Sequence, residues 1–172
     1  NGRDRGISYW LLFVCKMCVC LTIAIQAGYD LRLAVTDEIR CREDEQKTQL
    51  LLERLAQTDG DGLPQLPVVF VGYQETELPE WCRRTEMYGW SFYGWDYSME
   101  NPTGATHRIC GFVQAYTGNV LQEDATEEQK KTAVELAAQM KNFPEEGSVL
   151  VTEDCVVVRL SDITEQMRTD WW

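Results

Sequence analysis

Aromatic residues crowd the stretch between positions 79 and 105: Trp81, Tyr88, Trp90, Phe92, Tyr93, Trp95 and Tyr97. Polar side chains are interleaved with them: Arg83, Arg84, Glu86, Asp96 and Glu100. A planar indole stacks on the face of a pyranose, and a carboxylate accepts hydrogen bonds from neighbouring hydroxyls. This mixture therefore suits contact with a sugar. The residues expected to make it cluster in GWSFYGWDY (89–97): Trp90, Trp95 and Asp96, with Arg108 as a helper. The same composition also suits a rigid, loop-rich cap over a small core. Both readings stand at this point.

Other chemistries find less support. His107 is the only histidine, so it forms neither a clustered metal site nor a triad by itself, and a structural or surface role is expected. Asp96 and Glu100 could be paired as the carboxylates of a hydrolase. Carboxylates are plentiful in this chain, however, and no nucleophile-plus-base arrangement stands out. There is neither GxGxxG nor a Walker lysine. No catalytic residue, cofactor or metal ligand is therefore assigned. CKMC at Cys15–Cys18 has the form of a redox or zinc pair, but its flanks are apolar and no second pair follows. With Cys20, these are expected to be small helix-packing residues. Cys41, Cys82, Cys110 and Cys155 are far apart. They could form two disulfides, in three possible connectivities, or remain buried free thiols.

The chain has 172 residues with a formal net charge of −12. Before Asp30 the charged residues are Arg3, Asp4, Arg5 and Lys16, so residues 30–172 carry a net −14. Such a surface repels phosphate backbones, and nucleic acid is excluded as a partner. Charged residues make up 26% and aromatic residues 10%, as in a packed domain. The first residue is Asn1, and a fragment of a longer protein is expected.

Tyr9–Ala27, YWLLFVCKMCVCLTIAIQA, is apolar almost throughout. As a helix it spans about 28 Å, close to the thickness of a hydrocarbon core. Lys16 opposes insertion by up to about 3 kcal/mol, less where it snorkels toward Arg3 and Arg5. A cleaved signal peptide would show the same basic-then-apolar order, but Ile25 is poor at the −3 position of a site near Ala27. A buried core helix fits less well, because the run is long and apolar on all sides. We expect a transmembrane helix over residues 1–28, with its basic flank cytoplasmic and residues 29–172 on the other side. Tyr9, Trp10 and Tyr29 suit the two interfaces.

The remainder is expected to be a small α/β domain. No Gly or Pro interrupts Tyr29–Asp59, so residues 29–58 read as one long helix continuing from the membrane. Its polar middle, Arg40–Gln49, reads as a solvated stretch, in the manner of a stalk. GDGLPQLP ends it. Within 59–172, Pro67–Gly72 reads as a buried central strand whose Gly72 end opens into a loop, a common place for a site. Thr106–Tyr116 reads as a short helix with Ile109, Phe112 and Val113 inward. Thr126–Gln129 fits a capping box, starting a helix with Ala133, Val134, Leu136, Ala137 and Met140 on one face and Phe143-Pro144 at its close. Ser148–Thr152 and Cys155–Leu160 read as a hairpin beside the Val68–Val71 strand, with helices covering the sheet. Trp171 and Trp172 have no evident role.

Several segments occur in a telling order: LPVVFVG (66–72), GWSFYGWDY (89–97), THRICGFVQAYTG (106–118), ATEEQKKTAVELAAQMKNFPEEGSV (125–149) and CVVVRLSD (155–162). Together with the preceding membrane and charged helices, this set resembles the C-terminal end of bacterial GtrII-type glucosyltransferase-domain membrane proteins, over nearly the whole chain. The resemblance implies a polytopic enzyme of the bacterial cell membrane, transferring glucosyl units from a polyprenyl-phosphate donor to a cell-surface glycan. It implies catalytic carboxylates between earlier membrane helices, so no catalytic residue is carried onto this sequence. The implied role here is a non-catalytic accessory or acceptor-contacting domain. The implied partners are the lipid bilayer, upstream membrane helices of the same protein, and a polyprenyl-linked sugar or surface glycan. The alternative is a non-enzymatic membrane-anchored surface module for adhesion, sensing or assembly.

Overall fold

The computed structural model describes residues 2–59, 62–79 and 90–163. Trp81, Cys82, Arg83, Arg84, Glu86 and Tyr88, together with the tail from residue 164, lie outside these. Helix α1 runs unbroken over Gly2–Asp59. It is followed by strand β1 (Val68–Val71), helices α2 (Ala105–Thr117) and α3 (Glu127–Ala137), and strands β2 (Val149–Val151) and β3 (Val156–Arg159).

α1 passes without a break through Gly28, at the junction of its apolar and charged parts, and the absence of Gly and Pro from Tyr29 to Asp59 lets it run on to its end. From Tyr9 onward, α1 is long and apolar enough to cross a membrane, and none of its most apolar window is buried against the domain. Tyr9 to Leu12, Phe13, Val19, Leu21, Ile23 and Ile25 are all exposed.

The three strands form a mixed sheet in the order β1-β3-β2. β1 pairs with β3 in parallel, Val68 opposite Val156, and β2 pairs with β3 antiparallel, Val151 opposite Val156. Side chains alternate between the faces of a strand. Val68, Phe70, Val156 and Val158 enter one core with Leu51 and Leu55 of α1, Ile109 and Val113 of α2, and Tyr93. Val69, Val71 and Val157 enter a second core with Ala133 and Ala137 of α3. Both faces are covered, which is why β1 and β3 read as continuous apolar runs.

Two expectations are corrected here. The Val68–Val71 strand is fully buried, but it lies at the sheet edge, and β3 is central. Burial on two faces gives an edge strand the same sequence pattern as a central one. Its outward amides are satisfied without another strand: Val68 N–H donates to Gln122 O, Phe70 N–H to Thr106 Oγ1 and Gly72 N–H to Pro102 O. The second correction concerns the polar middle of α1, which is no solvated stalk. Thr36, Asp44 and Thr48 are 1%, 1% and 0% exposed. With Arg40, Leu51 and Leu55 they follow near-fourfold spacing and form one stripe against the domain.

The capping box is formed as expected. Gln129 N–H donates to Thr126 Oγ1, and Thr126 N–H donates to Gln129 Oε1. Gln129 Nε2 also donates to Asp154 O in the hairpin turn, tying α3 to β3. Thr126→Ala is expected to lower unfolding free energy by about 1 kcal/mol in chemical denaturation. A change below a few tenths would contradict a stabilising role for this cap.

Cys110 and Cys155 are buried as free thiols in the two different cores, and Cys41 is free and half-buried. Burial pushes the Cys110 thiol up to about 12, so it is unreactive at neutral pH.

Candidate functional site

The turn after Trp90 is built on α1. Asp44 receives Ser91 Oγ–H at 2.6 Å on one carboxylate oxygen and Phe92 N–H at 3.0 Å on the other. Ser91 Oγ then accepts from Tyr93 N–H, and Ser91 O accepts from the amides of Gly94 and Trp95. Tyr93 OH meets Thr48 Oγ1 at 2.9 Å. One buried carboxylate thus organises a five-residue turn. Burial raises the Asp44 carboxyl above its ordinary value, opposed by the bonds from Ser91 and Phe92 and by the charges of Lys47 and Arg40. Burial likewise raises the Tyr93 phenol, so it stays neutral.

The turn sorts its aromatics. Tyr93 and Tyr97 are buried in the protein. Phe92 and Trp95 are half-buried and Asp96 is exposed. Asp96 has a left-handed backbone, φ 66°, and its carbonyl lies so close to Gly104 that a Cβ there would stand 2.0 Å from it.

Helix α2 supplies the matching side. Ile109 and Val113 fix it in the core, and Arg108, Phe112 and Tyr116, spaced four apart, share another face. Phe112, expected to point inward, is half-buried and stacks on Phe92 at 4.4 Å between centroids. Its other neighbour is Tyr116, nearly parallel at 5.8 Å, whose hydroxyl accepts from Gln49 Nε2 of α1. Phe92 reaches Trp95 at 6.2 Å. The Arg108 guanidinium lies 4.6 Å from the Trp95 ring centroid, and its Nε donates to Asp96 Oδ2 at 2.6 Å. The result is a partly exposed row, Tyr116–Phe112–Phe92–Trp95, ending in an ion pair whose side chains are 39% and 45% exposed.

Of the four residues singled out from sequence, the structure brings Trp95, Asp96 and Arg108 together. The main-chain carbonyl of Trp90 accepts from Arg40 Nη1 of α1 at 2.7 Å, and Trp90 is half-buried. Sequence reasoning missed Asp44, Arg40 and Thr48 as the residues that position the turn. Their shared spacing with Leu51 and Leu55 was the available signal.

Phe92 and Phe112 turn a face to each other, so the row places ring edges and the Trp95 indole beside a carboxylate acceptor and a guanidinium donor. Arg108 covers one face of Trp95, so stacking on that indole is left to the opposite face. His107 Nδ1 lies 2.8 Å from Glu123 Oε2 on the surface, a pairing with no nucleophile in it. Among the described residues no group of three His, Cys, Asp or Glu side chains could hold a metal ion. The Gly72 end of β1, where a site was anticipated, is filled from within: a Cβ at Gly72 would stand 2.7 Å from Ser161 O, and Ser161 Oγ accepts from Tyr73 N–H. A shallow cleft of about 250 Å³ nearby is lined by Val71, Ala137, Arg159, Ser161 and Asp162. Its arginine is already spent on the carbonyls of Ala137 and Met140 at the end of α3 and on Asp162. Comparison with protein-family models, curated proteins and solved structures gives no match.

Proposed function

We propose that this chain is a membrane-anchored domain that holds a carbohydrate-contacting surface outside the membrane. In this reading it is a non-catalytic part of a glycosyltransferase that acts at the cell surface. Tyr9–Ala27 crosses the bilayer, the basic flank stays cytoplasmic, and the acidic domain lies on the far side. The observation that carries the reading is the aromatic row ending in Trp95, Arg108 and Asp96. The Trp95 indole takes the apolar face of a pyranose, while Asp96 and Arg108 accept from and donate to its hydroxyls.

The reading is tested by calorimetric titration of the full chain with soluble oligosaccharides. Trp95→Ala is expected to weaken binding at least tenfold, about 1.4 kcal/mol. Equal affinity in the two proteins would remove the row from carbohydrate contact.

A second reading, a non-enzymatic anchored surface module, is favoured by one observation. The domain packs on its own membrane-derived helix through Leu51, Leu55 and Asp44. The readings part in native membranes: if the domain serves a glycosyltransferase, Trp95→Ala lowers glucosyl transfer to the surface glycan, and in an independent module it leaves transfer unchanged.

A further inference from the structure

We infer that the sugar taken by this row belongs to a glycan that projects well clear of the membrane, and is not a sugar carried at the lipid headgroup. The inference rests on the proposed carbohydrate contact and adds the source of the ligand.

The first support is distance. Asp44, which holds the Phe92 amide, lies seventeen residues beyond Ala27. At 1.5 Å per residue that is about 25 Å along α1, and Gln49, which holds Tyr116, is about 33 Å along. The headgroup layer adds only about 5–8 Å on each side of the hydrocarbon core. A single sugar on a lipid phosphate therefore sits below the stretch of α1 that holds the row.

The second support is rigidity. α1 has no break between the apolar run and the domain. Four contacts latch the loops to it beyond the core itself: Arg40 Nη1 to Trp90 O, Glu77 N–H to Glu43 Oε2, Lys47 Nζ to Glu75 O, and the Asp44 pair of bonds. They hold the row to the Arg40–Lys47 stretch of α1, so it does not slide along the helix toward the bilayer. The third support is charge. Residues 30–172 carry a net −14, which repels the domain from an anionic membrane surface.

The test uses the full chain in nanodiscs with two probes. One is a soluble neutral glucose heptasaccharide. The other is monoglucosyl diacylglycerol placed in the same disc. Wild type is expected to bind the heptasaccharide, Trp95→Ala and Asp96→Asn to bind it at least tenfold more weakly, and the glucosyl lipid to leave tryptophan fluorescence unchanged. A response to the glucosyl lipid that Trp95→Ala abolishes, with or without heptasaccharide binding, overturns the assignment of source and leaves the sugar surface standing. Binding of neither probe, or heptasaccharide binding indifferent to both substitutions, overturns the sugar surface and the inference with it.

Discussion

Asp44→Ala is expected to cost the domain about 3 kcal/mol and to free the turn that carries Trp95 and Asp96. Asp44 is 1% exposed and satisfies Ser91 Oγ–H and Phe92 N–H. Alanine leaves both donors without their acceptor, and a buried unsatisfied donor costs about 1–3 kcal/mol. Arg40 and Lys47 also lose a neighbouring negative charge. Chemical denaturation measures the stability loss, and hydrogen exchange at the amides of residues 92–95 reads the release of the turn. Unchanged exchange there would show that the turn holds without the carboxylate.

The same residue sets a pH dependence. Its folded-state pKa is raised above 3.8. Between 3.8 and that raised value the folded protein binds more proton than the unfolded chain, so stability from this group rises as pH falls through the window. Asparagine has no such titration. The unfolding free energy of wild type relative to Asp44→Asn is therefore expected to increase on going from pH 7 toward pH 4. A difference that shrinks over that range would contradict the raised pKa.

Gly104→Ala is the second large effect expected. Gly104 has φ −60°, so alanine meets no backbone strain there. The obstacle is space: the new Cβ would stand 2.0 Å from Asp96 O and 2.8 Å from Asp96 C. Both are backbone atoms, so the Asp96 segment or the start of α2 must move. Overpacking of this kind costs about 1–3 kcal/mol, and a 2.0 Å approach belongs at the upper end. Because the displaced segment carries Asp96, the Arg108–Asp96 pair should separate and sugar affinity fall with stability. The sheet and α3 lie outside the clash, so exchange protection in β1 and β3 should be retained after correction for global stability. Wild-type stability in Gly104→Ala would contradict the close approach.

Much of the fold is legible in the sequence because it is written locally. The unbroken run to Asp59 marks α1, Thr126 and Gln129 mark the start of α3, and VVFV between Pro67 and Gly72 marks β1. What fails is whatever depends on distant partners. Asp44 looks solvated among Arg40, Arg42, Glu43 and Glu45, and nothing near it announces that Ser91 and Phe92 will come to its oxygens. β1 looks central because burial of two faces, not strand order, shapes its composition. Phe112 looks like core on helical spacing, yet Phe92 from the turn takes it onto the surface row. The same holds for the candidate site. Trp95 and Asp96 were visible as a cluster and Arg108 as a helper. Only folding shows that Phe92, Phe112 and Tyr116 extend the cluster into a row.

Hydroxyl-radical footprinting of the full chain in nanodiscs, resolved by residue with mass spectrometry, tests the central claim most directly. A saturating soluble glucose heptasaccharide is expected to lower the oxidation rate of Trp95 severalfold and to leave that of Trp10, in the apolar run, unchanged. Oxidation of Trp95 at the same rate with and without the sugar would contradict a carbohydrate-contacting surface at Trp95, Asp96 and Arg108.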